Sequence, residues 1–142
     1  MQPLKLPEFD YQTEGNKIFC LIRKKWVVLT PEEWVRQHFI NLLVSHLRYP
    51  RGLFRLEQSM SYFKNQKRSD INVLDREGNV FLLVECKAPS VKLDQKVTGQ
   101  IAAYNKVLDA KYLAITNGMT HFVWKREMKG FQQIRDFPFY ES

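Results

Sequence analysis

Residues 68–89 read R-S-D-I-N-V-L-D-R-E-G-N-V-F-L-L-V-E-C-K-A-P, a pattern that predicts two short strands joined by a turn. Asp70 opens the first strand, and Glu85 and Lys87 close the second. Residues two apart on a strand project from the same face, so Glu85 and Lys87 are expected to lie together. The turn at Gly78-Asn79 makes the strands antiparallel neighbours, which places Asp70 across from this pair at one end of the sheet.

Two carboxylates and a lysine at one sheet end suit a metal-dependent phosphodiesterase. Asp70 and Glu85 supply hard oxygen ligands of the kind that Mg2+ or Mn2+ prefers, and the backbone carbonyl of Cys86 is a further candidate ligand. A bound cation would lower the pKa of a water molecule and take up charge on the phosphate oxygens. Lys87 would orient the attacking water or stabilise the transition-state charge.

The spacing alone also fits a structural interpretation, in which Glu85 and Lys87 form a solvated ion pair and Asp70 only begins its strand. However, Glu85 follows five successive apolar residues, Val80 to Val84. A strand that is apolar on both faces is typical of the buried centre of a sheet. A carboxylate pair buried there without a cation would be costly, which favours the functional interpretation.

A second helix is predicted directly after this strand, from about Asp94 to Leu108. Gln100 and Tyr104 are four residues apart and therefore share one face of that helix. Gln100 can hydrogen-bond to the lysine, to a water or to a phosphate, and Tyr104 can contact backbone phosphate or a base. The structural alternative places Tyr104 in the core and leaves Gln100 half-buried with a backbone partner.

The first helix is predicted to start at Thr30-Pro31-Glu32-Glu33. Thr30 can cap it, Pro31 suits its first position, and Glu33 completes a capping box. The apolar residues that follow define one face through about Leu47. Glu32 falls on the edge of this face and is a candidate to reach a site, whereas Glu33 points away and is expected to be structural.

The remaining elements complete one α/β domain, residues 1–142, with a mixed central sheet flanked by helices. It is expected to consist of an irregular lead-in (1–16), a β-hairpin (17–29) and a core (30–135). The lead-in is expected to lie on the body through Leu4, Leu6 and Phe9. Further strands are predicted over 53–63, 111–116, 121–125 and 131–135.

The chain of 142 residues carries a formal charge of +7, which favours a polyanionic partner but also fits a merely basic soluble protein. Cys20 and Cys86 form no C-x-x-C pair and lie in apolar runs, so they are expected to be reduced in an intracellular protein. No signal-peptide core is visible, and no apolar run approaches the roughly 20 residues that span a bilayer. A cytoplasmic location without membrane contact is therefore expected.

Five short motifs follow one another along the chain: P-E-E-W-V-R-Q (31–37), K-R-S-D-I-N-V-L-D (67–75), L-V-E-C-K-A-P (83–89), Q-I-A-A-Y-N (100–105) and L-A-I-T-N-G (113–118). Together they resemble the PD-(D/E)XK nuclease superfamily and, more narrowly, the N-terminal nuclease domain of type I restriction enzyme R subunits. The resemblance covers roughly residues 18–125. It implies an αβββαβ core and Mg2+-dependent cleavage of DNA.

The resemblance also implies a site made from the sheet end and the second helix, namely Asp70, Glu85, Lys87, Gln100 and Tyr104. The last two match a Q-x-x-x-Y motif that assists DNA contact and organises the site. Glu32 is the candidate for the helix glutamate of this site, and Glu33 is the alternative. Ser69 stands where the superfamily has a proline, a position that only shapes the backbone.

The expected function is therefore a Mg2+-dependent DNA nuclease in which Mn2+ can substitute. Five basic residues are expected to help hold phosphates: Lys67, Arg68, Lys92, Lys96 and Lys125. No G-x-x-x-x-G-K-[ST] motif is present, so the ATP-driven translocation of R subunits is not carried over. The alternative is a non-catalytic nucleic-acid-binding or assembly module that keeps the nuclease fold. Other restriction-modification subunits are candidate partners, as is a second copy of the chain, because duplex cleavage needs two cuts.

Overall fold

The computed structural model describes residues 1–56, 71–96, 99, 109–128 and 130–140. Within these residues the chain forms a small three-stranded sheet, one α-helix and a six-stranded mixed sheet. The protein is thus an α/β fold, as predicted.

The small sheet is antiparallel and consists of β1 (Thr13–Glu14), β2 (Lys17–Phe19) and β3 (Trp26–Val28). β2 and β3 lie within the range 17–29 for which a hairpin is expected. β1 lies within the lead-in and was not predicted. It forms because Gly15, at φ +58, allows the chain to turn tightly into β2.

Helix α1 (Pro31–Asn41) begins where the sequence predicts it. The Thr30 hydroxyl oxygen accepts the Glu33 N–H at 3.0 Å, as a capping residue should. One π-helical turn over Leu42–His46 continues the helix, so helical backbone ends next to the predicted Leu47. Of the helices within the described ranges, none has the length and apolar character needed to span a bilayer.

The large sheet is built from β4 (Phe54–Leu56), β5 (Ile71–Leu74), β6 (Val80–Cys86), β7 (Tyr112–Thr116), β8 (His121–Glu127) and β9 (Gly130–Ile134), which lie side by side in this order. β6 and β7 are parallel, and every other neighbouring pair is antiparallel. A parallel pair requires a crossover connection, whereas antiparallel strands need only short turns. Both parallel strands are buried almost throughout, as central strands should be.

Two predicted elements extend beyond the described residues. The strand predicted over 53–63 is observed as β4, and residues 57–70 lie outside the described ranges. In the helix predicted over 94–108, Gln95, Lys96 and Gly99 are helical, and most of its remaining residues are not described.

The main core lies between α1 and one face of the large sheet. Val35 and Phe39 of α1 pack with Leu82, Val84 and Cys86 of β6, and all five side chains are buried. Leu4 and Leu6 of the lead-in also pack against this cluster, as expected.

The opposite face of the sheet carries a smaller cluster that includes Leu83, Leu113, Ile115 and Trp124. Side chains alternate along a strand, so Glu85, two residues after Leu83, lies on this second face. The predicted site residues of β6 therefore face away from α1.

The N-terminal segment is fixed to the end of β7 by hydrogen bonds. The Lys5 N–H donates to the Gly118 carbonyl at 2.8 Å. His121 Nε2–H donates to the Lys5 carbonyl at 3.1 Å, and its Nδ1 accepts from the Thr116 hydroxyl at 2.6 Å. Because the Lys5 carbonyl oxygen can only accept a hydrogen bond, the proton of the neutral His121 ring is assigned to Nε2. Burial lowers the pKa of His121 below its ordinary value, although the bond to Lys5 partly opposes this.

Gly118→Ala is expected to destabilise the fold more than Gly78→Ala. Both glycines have positive φ (+85 and +88), but only at Gly118 would a Cβ meet another residue, Leu4 Cδ2 at 2.8 Å. Backbone strain costs about 1 kcal/mol or more at either position, and crowding should add about 1 kcal/mol at Gly118. Urea unfolding of both variants measures the difference, and equal losses would contradict the close packing of Leu4 at this turn.

The free energy of unfolding is expected to fall between pH 7.5 and 5.5, in part because of His121. Its pKa is lower in the folded protein than in the unfolded chain, so the unfolded state takes up the proton first and stability is lost as pH decreases. Urea unfolding at several pH values should show a smaller loss for His121→Gln than for the unmodified chain. If the free energy of unfolding of both proteins fell equally with pH, the result would contradict the inference that the surroundings of His121 hold it neutral.

Candidate active site at the end of β6

The carboxyl-terminal end of β6 carries an ion pair. Glu85 is 4% exposed, and its Oε1 lies 3.1 Å from Lys87 Nζ. The Lys87 side chain is 27% exposed and so connects the buried carboxylate with solvent. The structural interpretation predicted a solvated ion pair, and that is wrong for Glu85, because its side chain is buried.

The parallel pairing of β6 with β7 holds this pair in position. Glu85 lies opposite Ile115, and the Lys87 N–H extends the ladder by donating to the Thr116 carbonyl at 2.8 Å. The Cys86 side chain is buried in the main core on the other face. Of Cys86, only the backbone carbonyl is therefore a candidate ligand on this strand end.

Asn72 of β5 is a candidate site residue that the sequence interpretation missed. It is 6% exposed and lies opposite Leu83, which puts it on the same sheet face as Glu85, one diagonal step away. Within the described part of the chain, its Oδ1 is buried without a hydrogen-bond partner. Burying such an oxygen without a hydrogen bond costs roughly 1–3 kcal/mol of stability. An amide oxygen is also a hard ligand that suits divalent cations. The available signal was the alternation of polar Asn72 with apolar Ile71 and Val73.

The third predicted oxygen ligand, Asp70, lies outside the described residues. It precedes Ile71, which pairs with Val84 beside Glu85. Among the residues that the structure describes, no three His, Cys, Asp or Glu side chains form a group that could hold a metal ion. The described part of the site therefore consists of the Glu85–Lys87 pair and Asn72.

Four further predicted residues also lie outside the described ranges: Lys67, Arg68, Gln100 and Tyr104. Lys92 and Lys96 are exposed and follow β6. The loop that carries Lys92 is tied to the end of β7, because Asn117 Nδ2 donates to the Val91 carbonyl at 2.8 Å. Lys125, also expected to help hold phosphates, pairs with Tyr112 at the end of β7 that lies away from Glu85.

The two glutamates of α1 differ from expectation. Glu33 was expected to point away from the apolar face as a structural residue, yet it is 8% exposed, whereas Glu32 is half-buried. The orientation predicted for Glu33 is wrong because the small sheet and the lead-in cover sides of α1 that an open helix would leave to solvent. Every residue from Glu33 to Asn41 is buried as a result.

A buried polar network explains the position of Glu33. Its Oε2 accepts from Arg36 Nε at 2.8 Å and from Gln37 Nε2 at 2.9 Å. Gln37 Oε1 in turn accepts the Leu21 N–H at 3.1 Å, and Arg23 Nη2 lies 3.8 Å from Glu33. The network ties α1 to the hairpin turn, so the Glu33 carboxylate does not complete the predicted capping box.

Both cysteines are free thiols and buried. Burial raises the pKa of the Cys20 thiol, but hydrogen bonds from the Arg23 backbone and the Gln37 and Arg23 side chains outweigh it, leaving that pKa below its ordinary value. Cys20 thus belongs to the same polar network as Glu33, on the hairpin side of α1.

The sequence family described as Type I restriction enzyme R protein N terminus (HSDR_N) matches residues 31–138. This range begins at the first residue of α1 and ends beyond β9, so it contains the complete large sheet and the Glu85–Lys87 pair. No curated protein and no solved structure matches the chain significantly.

Glu33→Gln is expected to destabilise the protein by about 3–5 kcal/mol, since it removes one charge of a buried pair with Arg36. Glu32→Gln, one residue earlier and half-buried, is the matched control and should change stability by about 0.5 kcal/mol or less. Urea unfolding measures both. Equal effects of the two substitutions would contradict a structural role that is specific to Glu33.

Proposed function

The chain belongs to the type I restriction enzyme R protein N-terminus family, and from this premise we propose that it is a Mg2+-dependent nuclease that hydrolyses phosphodiester bonds in DNA. The observation that carries the proposal is the buried Glu85 carboxylate beside Lys87 at the end of a central strand. A carboxylate and an ammonium group on one strand face are the protein groups such a reaction requires.

A PD-(D/E)XK core is part of this proposal. Helix α1 is followed by the antiparallel strands β4, β5 and β6, and then, after a crossover, by the parallel strand β7. This order agrees with the αβββαβ arrangement if the crossover supplies the second helix, as the sequence predicts for 94–108.

The residues at the end of β6 fit a hard divalent cation. Glu85 offers a carboxylate, Asn72 offers a buried amide oxygen that lacks a partner in the described part of the chain, and Cys86 offers its backbone carbonyl. We assign Asp70, two residues before Asn72 in sequence, as the remaining carboxylate. Mg2+ held there, or Mn2+ in its place, would supply a Lewis acid that lowers the pKa of water and takes up charge on phosphate oxygens.

Lys87 has two roles in this proposal. It compensates the buried Glu85 carboxylate at a distance of 3.1 Å when no substrate is present. Because its side chain is partly exposed, its ammonium group is also accessible to a phosphate, where it would orient the attacking water and stabilise developing negative charge.

Other residues are assigned to DNA contact and site organisation. Gln100 and Tyr104 take the roles implied by the Q-x-x-x-Y motif, and Glu32 remains the candidate helix glutamate. Lys67, Arg68, Lys92 and Lys96 are assigned to phosphate contacts, which the net charge of +7 supports. Restriction-modification subunits or a second copy of the chain are the proposed protein partners.

Glu85→Ala and Lys87→Ala are expected to affect the reaction differently. Glu85→Ala should abolish both divalent-cation binding and cleavage, because it removes a ligand. Lys87→Ala should lower turnover about 100-fold or more while leaving cation affinity nearly intact, because it removes only transition-state stabilisation. Calorimetric titration with Mn2+ and cleavage of supercoiled plasmid, each with and without chelator, measure the two properties.

Glu127→Ala, which removes an exposed acidic residue at the end of β8, is the matched control and should leave both properties unchanged. Equal loss of cation affinity in Lys87→Ala and Glu85→Ala would contradict the role of Lys87. DNA binding without cleavage in any divalent cation would overturn the enzymatic proposal in favour of a non-catalytic nucleic-acid-binding module.

A further inference from the structure

The outer face of the β2–β3 hairpin combines aromatic, aliphatic and basic side chains. Phe19 lies opposite Trp26, and Lys17 lies opposite Val28. Trp26 is 38% exposed and Val28 is 54% exposed. The other face of the hairpin carries Ile18, which is fully buried, so the hairpin is anchored on one side and presents the other to solvent. We call Lys17, Phe19, Trp26 and Val28 the hairpin platform.

An open cavity of about 250 Å³ adjoins the platform and is lined by Glu14, Asn16, Lys17 and Trp26. This is just below the roughly 300–1,000 Å³ of sites for drug-sized ligands, which suits a single flat ring better than a larger molecule. Phe19 meets Trp26 edge-on, with ring centroids 5.4 Å apart and planes at 74°, and so holds the indole in position.

The polar groups around this cavity match the edges of a nucleobase. Glu14 offers a carboxylate acceptor, and the Asn16 side-chain amide offers both a donor and an acceptor. The Asn16 backbone is fixed, since its carbonyl accepts the Leu29 N–H at 2.8 Å. An indole face with hydrogen-bonding groups at one side is the combination that proteins use to hold an unstacked base.

The charges favour a polyanionic strand. Between residues 13 and 28 the chain has four basic residues and one acidic residue, Glu14. Lys24 and Lys25 are exposed at the hairpin tip. The tip is a tight turn, in which Lys24 N–H donates to the Cys20 carbonyl at 2.9 Å and Cys20 N–H donates to the Lys25 carbonyl at 2.8 Å. The backbone of the two lysines is therefore fixed at the end of the hairpin that carries the aromatic pair.

We propose that the hairpin platform binds an unpaired segment of a DNA strand, with one base stacked on Trp26 and the flanking phosphates at Lys17, Lys24 and Lys25. The inference rests on the proposed function, to which it adds the form of nucleic acid that the protein contacts. In a duplex the faces of the bases are covered by their neighbours, so stacking on Trp26 requires unpaired nucleotides.

A second copy of the chain is a less suitable occupant of this surface. A two-fold interface brings the same patch of both subunits together, which would place Lys17, Lys24 and Lys25 near their own counterparts. Juxtaposed like charges oppose such an association. A phosphate backbone, in contrast, neutralises them.

The test is the binding of a fluorescently labelled single-stranded oligonucleotide to the complete chain, measured by anisotropy in chelator so that no cleavage occurs. Trp26→Ala should weaken binding about 5- to 150-fold, the effect expected for one base–aromatic stack. Trp26→Phe should retain part of the affinity. Phe139→Ala, which truncates an aromatic side chain that is 59% exposed, is the matched control and should bind normally.

The phosphate contacts of Lys24 and Lys25 are tested through the salt dependence of the affinity for the single-stranded oligonucleotide. Replacing both Lys24 and Lys25 by Ala should reduce the magnitude of the negative slope of log affinity against log salt by about 1.4, since each single-strand phosphate contact contributes about −0.7. Trp26→Ala should leave this slope unchanged. Circular dichroism and urea unfolding verify that each variant is folded.

Three outcomes would overturn the inference: equal affinities for Trp26→Ala and Phe139→Ala, an equal loss of duplex and single-strand binding in Trp26→Ala, or a change in sedimentation behaviour without a change in DNA affinity. The last would assign the platform to protein association. Failure of the proposed nuclease function is separate, because it appears as absent plasmid cleavage in the unmodified chain while Trp26-dependent binding persists.

Discussion

The parallel pairing of β6 with β7 is the constraint on which the rest of the structure depends. It makes β6 a central strand, and a central strand admits a charged residue only where the ladder ends. Glu85 stands at that point, buried and paired with Lys87 across 3.1 Å. The pairing also requires a crossover connection between Lys87 and the start of β7. A strand that ended at an outer edge of the sheet would leave the same two residues in water.

The alternation of side chains along β6 places the main core and the candidate site on opposite faces of the large sheet. Leu82, Val84 and Cys86 face α1 and form the main core, whereas Leu83 and Glu85 face the other way. Substitutions on the α1 side therefore act on the main core, whereas the Glu85 side carries both the smaller hydrophobic cluster and the candidate site. The N-terminal segment contributes to the first side through Leu4 and Leu6.

Sequence periodicity predicted the elements well where one interaction decides their structure. The Thr30 cap fixed the start of α1, and the apolar run before Glu85 identified a buried strand. Periodicity failed where separate parts of the chain meet. The lead-in and the small sheet bury Glu33, and no local pattern in the helix reports that coverage. Asn72 was missed for a related reason: its alternation with Ile71 and Val73 indicates which face it shares, but its burial depends on strand pairing.

Glu33 and Glu85 are both buried carboxylates beside basic side chains, yet their surroundings support opposite assignments. Glu33 is hydrogen-bonded to Arg36, which is 1% exposed, and to Gln37, which is fully buried, so these two partners are fixed in the interior. Arg23, at 3.8 Å, has a side chain that is 15% exposed. Lys87, the partner of Glu85, is 27% exposed. A solvent-accessible ammonium can exchange its contact for a phosphate or give way to a cation, whereas an interior guanidinium cannot. The solvent exposure of the basic partner, more than the burial of the carboxylate, therefore distinguishes a candidate site from a structural ion pair.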